Sequence, residues 1–110
     1  MQNTYLCVMV LYNVTLSIDA ETEEIWLKWM KETHIPDVMA TKHFRDCKLC
    51  RVHGEEEGGK TYAIMYTAFS EKDFDDYQMN HAPRLQAEHL QMFQGKFAAF
   101  RTVLSVIEEF

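Results

Sequence analysis

The sequence predicts an α+β domain whose elements run β-α-β-β-α-β. Three observations carry this: apolar alternation over residues 8–18, two helical stretches each interrupted by a proline, and two strand-length runs, 61–69 and 97–107, that are apolar on both faces.

In the first strand Val10, Tyr12, Val14, Leu16 and Ile18 share one face, and Leu11, Asn13, Thr15 and Ser17 share the other, as in a half-buried strand. Asp19 stands where an N-cap belongs, and Glu21, Glu23 and Glu24 suit the positive end of a helix dipole. Helix 1 then presents Ile25, Trp26, Trp29, Met30 and Thr33 as the stripe expected to cover a sheet. Pro36 disfavours helical geometry at Ile35, so the run should end near His34, with a short turn following through Asp37, Val38 and Met39. Residues 44–52 read as an edge strand, because Arg45, Asp46, Lys48 and Arg51 are scattered over both faces. The glycine- and glutamate-rich residues 53–60 form the expected hairpin loop. The strand over 61–69 has no polar face and therefore belongs in the centre of the sheet. Ser70 and Asp73 resemble a capping box and open the second helix, where Phe74, Tyr77 and His81 share a side. After Pro83 the stripe resumes as Leu85, His89, Leu90, Met92 and Phe93, with Gly95 as the expected stop.

This order most economically gives a ferredoxin-like sandwich: a four-stranded antiparallel sheet with both helices on one face. Two helices leave the other face bare. Strands 3 and 4 carry large apolar groups on both sides, a patch larger than a monomer usually exposes, so a second copy packed sheet to sheet is the expected cover.

Composition narrows the function classes. At 110 residues, with 47% hydrophobic and 13% aromatic residues, the chain suits one core and leaves no room for a second domain. A formal charge of −6 points away from nucleic acid, whose binding depends on clustered Lys and Arg. The faint echo of an RNA-recognition motif at 60–66 fails in detail, since Thr61 stands for its glycine and Ile64 for its aromatic. No apolar run approaches the roughly 20 residues that span a bilayer, so no membrane partner is expected. Residues 1–8 lack the basic start and apolar middle of a signal peptide, and three cysteines suit a reducing compartment, so the expected location is cytoplasmic.

The candidate chemistry is sparse. Cys47 and Cys50 have redox or zinc spacing, but three residues apart on a strand their sulfurs face opposite ways, so a structural role is expected. The five histidines show no compact ligand spacing; no metal site and no cofactor are expected. His43 and His53 flank strand 2 and should be exposed. His34, His81 and His89 lie on or at the end of helical stripes that face the sheet, where an imidazole in a groove can donate, accept or transfer a proton. The competing and stronger expectation for all three is a structural imidazole bonded to helix-end carbonyls. Tyr12, Trp29, Asp37 and Arg84 complete the candidate ligand-binding set: Asp37 to orient His34, Arg84 (or Arg101) to fork onto a carboxylate, Tyr12 and Trp29 to line the groove. For Asp37 the ordinary role is to accept backbone amides, for the arginines to pair with the chain's own carboxylates, and for Trp29 to fill the core.

The segments YNVT (12–15), WLKWMKETHIPDVMAT (26–41), GGKTYAIMY (58–66), HAPRLQAEH (81–89) and FAAFRTVL (97–104) together resemble a family of short bacterial proteins known as domain-of-unknown-function family four-two-eight-six. The resemblance runs from Met9 onward, so residues 1–8 read as an N-terminal extension or as the product of a misplaced start codon, and 9–110 as one domain. That family is similar in fold to dimeric α/β-barrel proteins such as antibiotic-biosynthesis monooxygenases, an analogy that does not transfer function. The first expectation is therefore a homodimer of unknown function, and a small molecule bound in the groove between helices and sheet, suggested by the polar groups that interrupt both helical stripes, is the next. The alternatives are a cofactor-free monooxygenase-like or haem-binding barrel enzyme, and a non-catalytic scaffold dimer whose histidines are structural.

Overall fold

The computed structural model describes residues 9–54 and 58–110. The first eight residues, including Cys7, and the three glutamates of the hairpin loop lie outside them, and with them the expected extension and the tip of that loop. The elements are β1 (Val10–Asp19), α1 (Glu23–Trp29) running through a π-helical turn (Met30–His34) into α2 (Ile35–Met39), β2 (Phe44–Arg51), β3 (Gly59–Ala68), α3 (Glu71–Asn80), α4 (Ala82–Phe93) and β4 (Phe97–Ser105). The strands form one four-stranded antiparallel sheet in the order β2-β3-β1-β4. Its helices cover one face, so the architecture is the expected ferredoxin-like α+β fold.

Side-chain alternation decides which face is covered. Val10, Tyr12, Leu16 and Ile18 of β1 are buried, as are Tyr62, Ile64, Tyr66 and Ala68 of β3, and they pack against Trp26, Met30, Val38, Phe74, Tyr77, Leu85 and Phe93. Tyr12 is central to the aromatic part of this core, with ring centroids 5.1 Å from Phe74 and 5.9 Å from Tyr66. At the other end Trp26 lies 5.0 Å from Tyr62 and is wholly buried. Truncating a tryptophan so enclosed costs about 3–5 kcal/mol.

Several local expectations are corrected. Asp19 ends β1 rather than capping a helix; its carbonyl accepts from Thr22 N–H, and Thr22 itself occupies the N-cap. Of the proposed helix 1 stripe, Trp26 and Met30 are buried and Trp29 is half-buried, but Ile25 and Thr33 face out. Nor does the helix stop at His34: Ile35 N–H reaches the Met30 carbonyl, five residues back, and Pro36 is accommodated at the start of α2. In α4, Leu90 and Met92 are exposed while Leu85, His89 and Phe93 are buried. The Ser70 cap is as expected: its Oγ accepts Asp73 N–H at 3.1 Å. Gly95, at φ 78°, sits in the left-handed region just past α4, as a helix stop requires.

Candidate functional site

The register of β1 with β4 sets Val14 opposite Arg101 and Leu16 opposite Ala99, so Arg101 lies on the helix-facing side of an edge strand. On α4, Gln86 and His89 are one turn apart and share a face. The π turn ends at His34. Together these enclose a cavity of ≈ 40 Å³, as room for water centres, between the helices and the sheet. A single water needs on the order of 10–15 Å³ on that measure, so the lumen holds a few waters or one small polar group. Its floor is Tyr12, Val14 and Leu16 of β1 with Ile64 and Tyr66 of β3; Phe97, Ala99 and Arg101 of β4 form one wall, and Met30, His34, Tyr77, Gln86 and His89 the roof.

His89 is gripped on three sides. The indole N–H of Trp26 donates to its Nε2 at 3.0 Å, Phe97 meets its ring edge-on at 4.4 Å, and Phe93 lies 5.4 Å away. His34 stacks on Trp29 at 5.1 Å and meets the His89 ring at 5.7 Å. Burial holds both imidazoles down to about 4; at His34 the Asp37 carboxylate opposes the shift, and the Arg101 guanidinium deepens it at both rings. Both rings are therefore neutral at physiological pH. Burial pushes the Tyr12 hydroxyl up, against the pull of Arg101 and Gln86 beside it, and raises Tyr77 likewise.

The seven sequence candidates divide. Tyr12, His34 and His89 line the cavity. Trp29 stands behind the two imidazoles, 5.1 and 5.7 Å from their rings. Asp37 is exposed and reaches the site only through its charge at His34. His81 and Arg84 do not line the lumen: Arg84 lies 3.3 Å from His81 Nδ1 at the α3–α4 corner, and His81 stacks on the outer side of Tyr77. His43, expected to be exposed, is instead partly buried beside them and bonded to Asp73 at 2.9 Å. Gln86 gave no signal in the sequence, because a glutamine on a helix is ordinarily a surface residue.

Cys47 and Cys50 sit at register positions opposite Tyr66 and Ala63, three residues apart on β2 as the strand reading required, and both are free thiols. Burial pushes the Cys47 thiol up to about 12, so it is unreactive. Among the described residues no group of three or more His, Cys, Asp or Glu is placed to hold a metal ion, and no helix is long and apolar enough to cross a membrane. Haem does not fit: the lumen admits a few waters, not a macrocycle, and His34 and His89 are already packed ring to ring.

Fold and cavity define a ferredoxin-like α+β domain with a cleft beneath its helices. Solved structures of the same shape include a dimeric ferredoxin-like protein from an uncultured marine organism (TM-score 0.69, 15% identity, covering 93% of this chain and 97% of that one). Others are a Bacillus cereus protein provisionally assigned as an antibiotic-biosynthesis monooxygenase (0.65, 16%, 93% and 96%) and the haem degrader MhuD of Mycobacterium tuberculosis with two haems in its active site (0.64, 15%, 92% and 98%). At such identities the likeness shows the fold alone. No curated protein matches the sequence. The chain belongs to the family described as domain of unknown function (DUF4286), matched over residues 9–107.

Proposed function

We propose that this protein is a small-molecule-binding domain that works as a homodimer, taking its ligand in the cleft beneath α4 while the bare sheet faces of two copies pack together. The observation that carries the ligand reading is the cavity itself: a mostly apolar lumen into which two neutral imidazoles, a tyrosine and an arginine converge, the pattern of a site rather than of a packing defect. The dimer reading is supported by Phe100 and Leu104, exposed on the uncovered face, and by solved neighbours that are themselves dimeric ferredoxin-like proteins. Free thiols at Cys47 and Cys50 fit a reducing, cytoplasmic setting.

A thermal-shift screen of small organic acids, phenols and amides against the full chain tests the ligand reading. At a hundredfold excess over Kd a true ligand stabilises by about 2.7 kcal/mol, a shift of several degrees. The control is Ala99→Phe, which fills the lumen from β4. A screen in which no compound stabilises the wild type more than this variant would rule the cleft out as a ligand site.

A further inference from the structure

The lumen is lined by neutral groups that both donate and accept (Tyr12, Tyr66, Tyr77 and Gln86), two imidazoles and one cation, Arg101. Trp26 Nε1–H can only donate, so the His89 Nε2 it meets at 3.0 Å is an acceptor, and the single proton of that neutral ring sits on Nδ1. His34 Nδ1 is buried without a partner among the described residues. Stranding an N–H there costs more than stranding a lone pair, so the proton of this ring belongs on Nε2. Both rings line the cavity, so these two N–H groups are the ones the imidazoles can offer to a bound group there. Arg101, which has donors only and is permanently charged, stands at the same lumen beside Tyr12. Among the described residues no Asp or Glu lines it.

We propose that the cavity receives the carboxylate of a small organic acid, with Arg101 as its counter-ion and the N–H groups of His34 and His89 donating to its oxygens. This rests on the reading of the cleft as a ligand site and names the ligand's chemistry. Hydrogen bonds from charged donors to carboxylate are roughly twice as strong as neutral ones, and the apolar floor keeps water from screening them. Room for a few water centres matches a carboxylate head and one or two carbons, with the remainder of the acid leaving through the open side. A ligand leading with an ammonium group meets the like charge of Arg101, with only the neutral oxygens of Gln86 and the tyrosines to accept from it, and is disfavoured.

The test is titration of the full chain at pH 7 and fixed ionic strength with sodium acetate and with acetamide, its neutral isostere, followed by histidine-selective NMR. Acetate is expected to shift the His34 and His89 ring resonances saturably, and acetamide to bind about tenfold more weakly or worse. Arg101→Gln, on an exposed edge-strand position, should weaken acetate by about tenfold and acetamide much less, because the carboxylate loses a counter-ion where the amide loses only a hydrogen-bond donor. Equal binding of the two probes, or acetate binding indifferent to Arg101→Gln, overturns the carboxylate assignment while the cleft survives as a ligand site. Preference for inorganic phosphate over acetate overturns it in the same way. If no probe, charged or neutral, moves either ring, and the thermal-shift screen is also blank, the ligand site falls with it.

Discussion

His89 is locked into one tautomer by a neighbour that cannot reverse its role, since an indole donates and never accepts. Trp26→Phe keeps most of the ring volume and removes that N–H, leaving His89 Nε2 buried without a partner. The expected loss is about 1–3 kcal/mol in urea unfolding, accompanied by a change in the His89 ring ¹⁵N shifts as the proton redistributes. Protonation of the pair is the second lever. Burial holds His34 and His89 to about 4 against 6.5 for a free imidazole, so between these values the unfolded chain binds more protons than the folded one. Stability is therefore complete above pH 6.5 and declines as pH falls towards 4, by on the order of 1–3 kcal/mol per ring. Unfolding midpoints measured at pH 7.5 and 4.5 check the direction, and His34→Gln should shrink the difference. Arg101 and Arg84 show why part of the site was not legible at this scale. In sequence they are equivalent candidates for holding a carboxylate. Only the pairing of Arg101 with Val14 across two strands sends one to the cavity, while helix phase leaves the other at the α3–α4 corner.

At the scale of elements, the strands were readable and the helix faces were not. Alternation in β1 and the absence of a polar face in β3 identify core positions directly, because a strand has only two faces. A helix has a continuous circumference, and α4 carries apolar residues around so wide an arc that sequence could not choose between Leu85, His89 and Phe93, which are buried, and Leu90 and Met92, which are not. Capping was legible where a side chain does the work. Ser70→Ala should destabilise the protein by about 1 kcal/mol, read from the shift of the denaturant midpoint. Close backbone approach was not legible. A Cβ on Gly59 would collide with the Ile18 carbonyl of the adjacent strand, and neither group can move without parting β1 from β3. Gly59→Ala is accordingly expected to cost about 1–3 kcal/mol, measured in the same way, while Gly59→Val should be worse.

For the molecule as a whole, the uncovered face of the sheet is the unresolved surface. Leu11, Met65, Phe100 and Leu104 lie on it, alternating with Asn13, Thr15 and Thr102, and Phe100 is 63% exposed in the single chain. The excess of apolar groups over what the helices can cover is legible in the sequence itself. Sedimentation velocity should show the wild type at twice the mass of one chain. Phe100→Glu, which places a charge where the two sheets would meet, should shift it to a single copy without loss of secondary structure. A wild type that sediments as one copy at micromolar concentration would refute the dimer.

The π turn at Met30–His34 amounts to one surplus peptide unit in an otherwise regular α-helical rod. Each residue advances such a rod by about 100°. Excising the exposed Thr33 would remove that surplus and leave α2 near its present phase, whereas adding one residue to the regular part of the coil would turn the His34 ring about the axis, away from the wall it now forms. A change in spacing, rather than in any cavity-lining side chain, would then be enough to disarm the cleft while leaving every one of its polar groups spelled out in the chain.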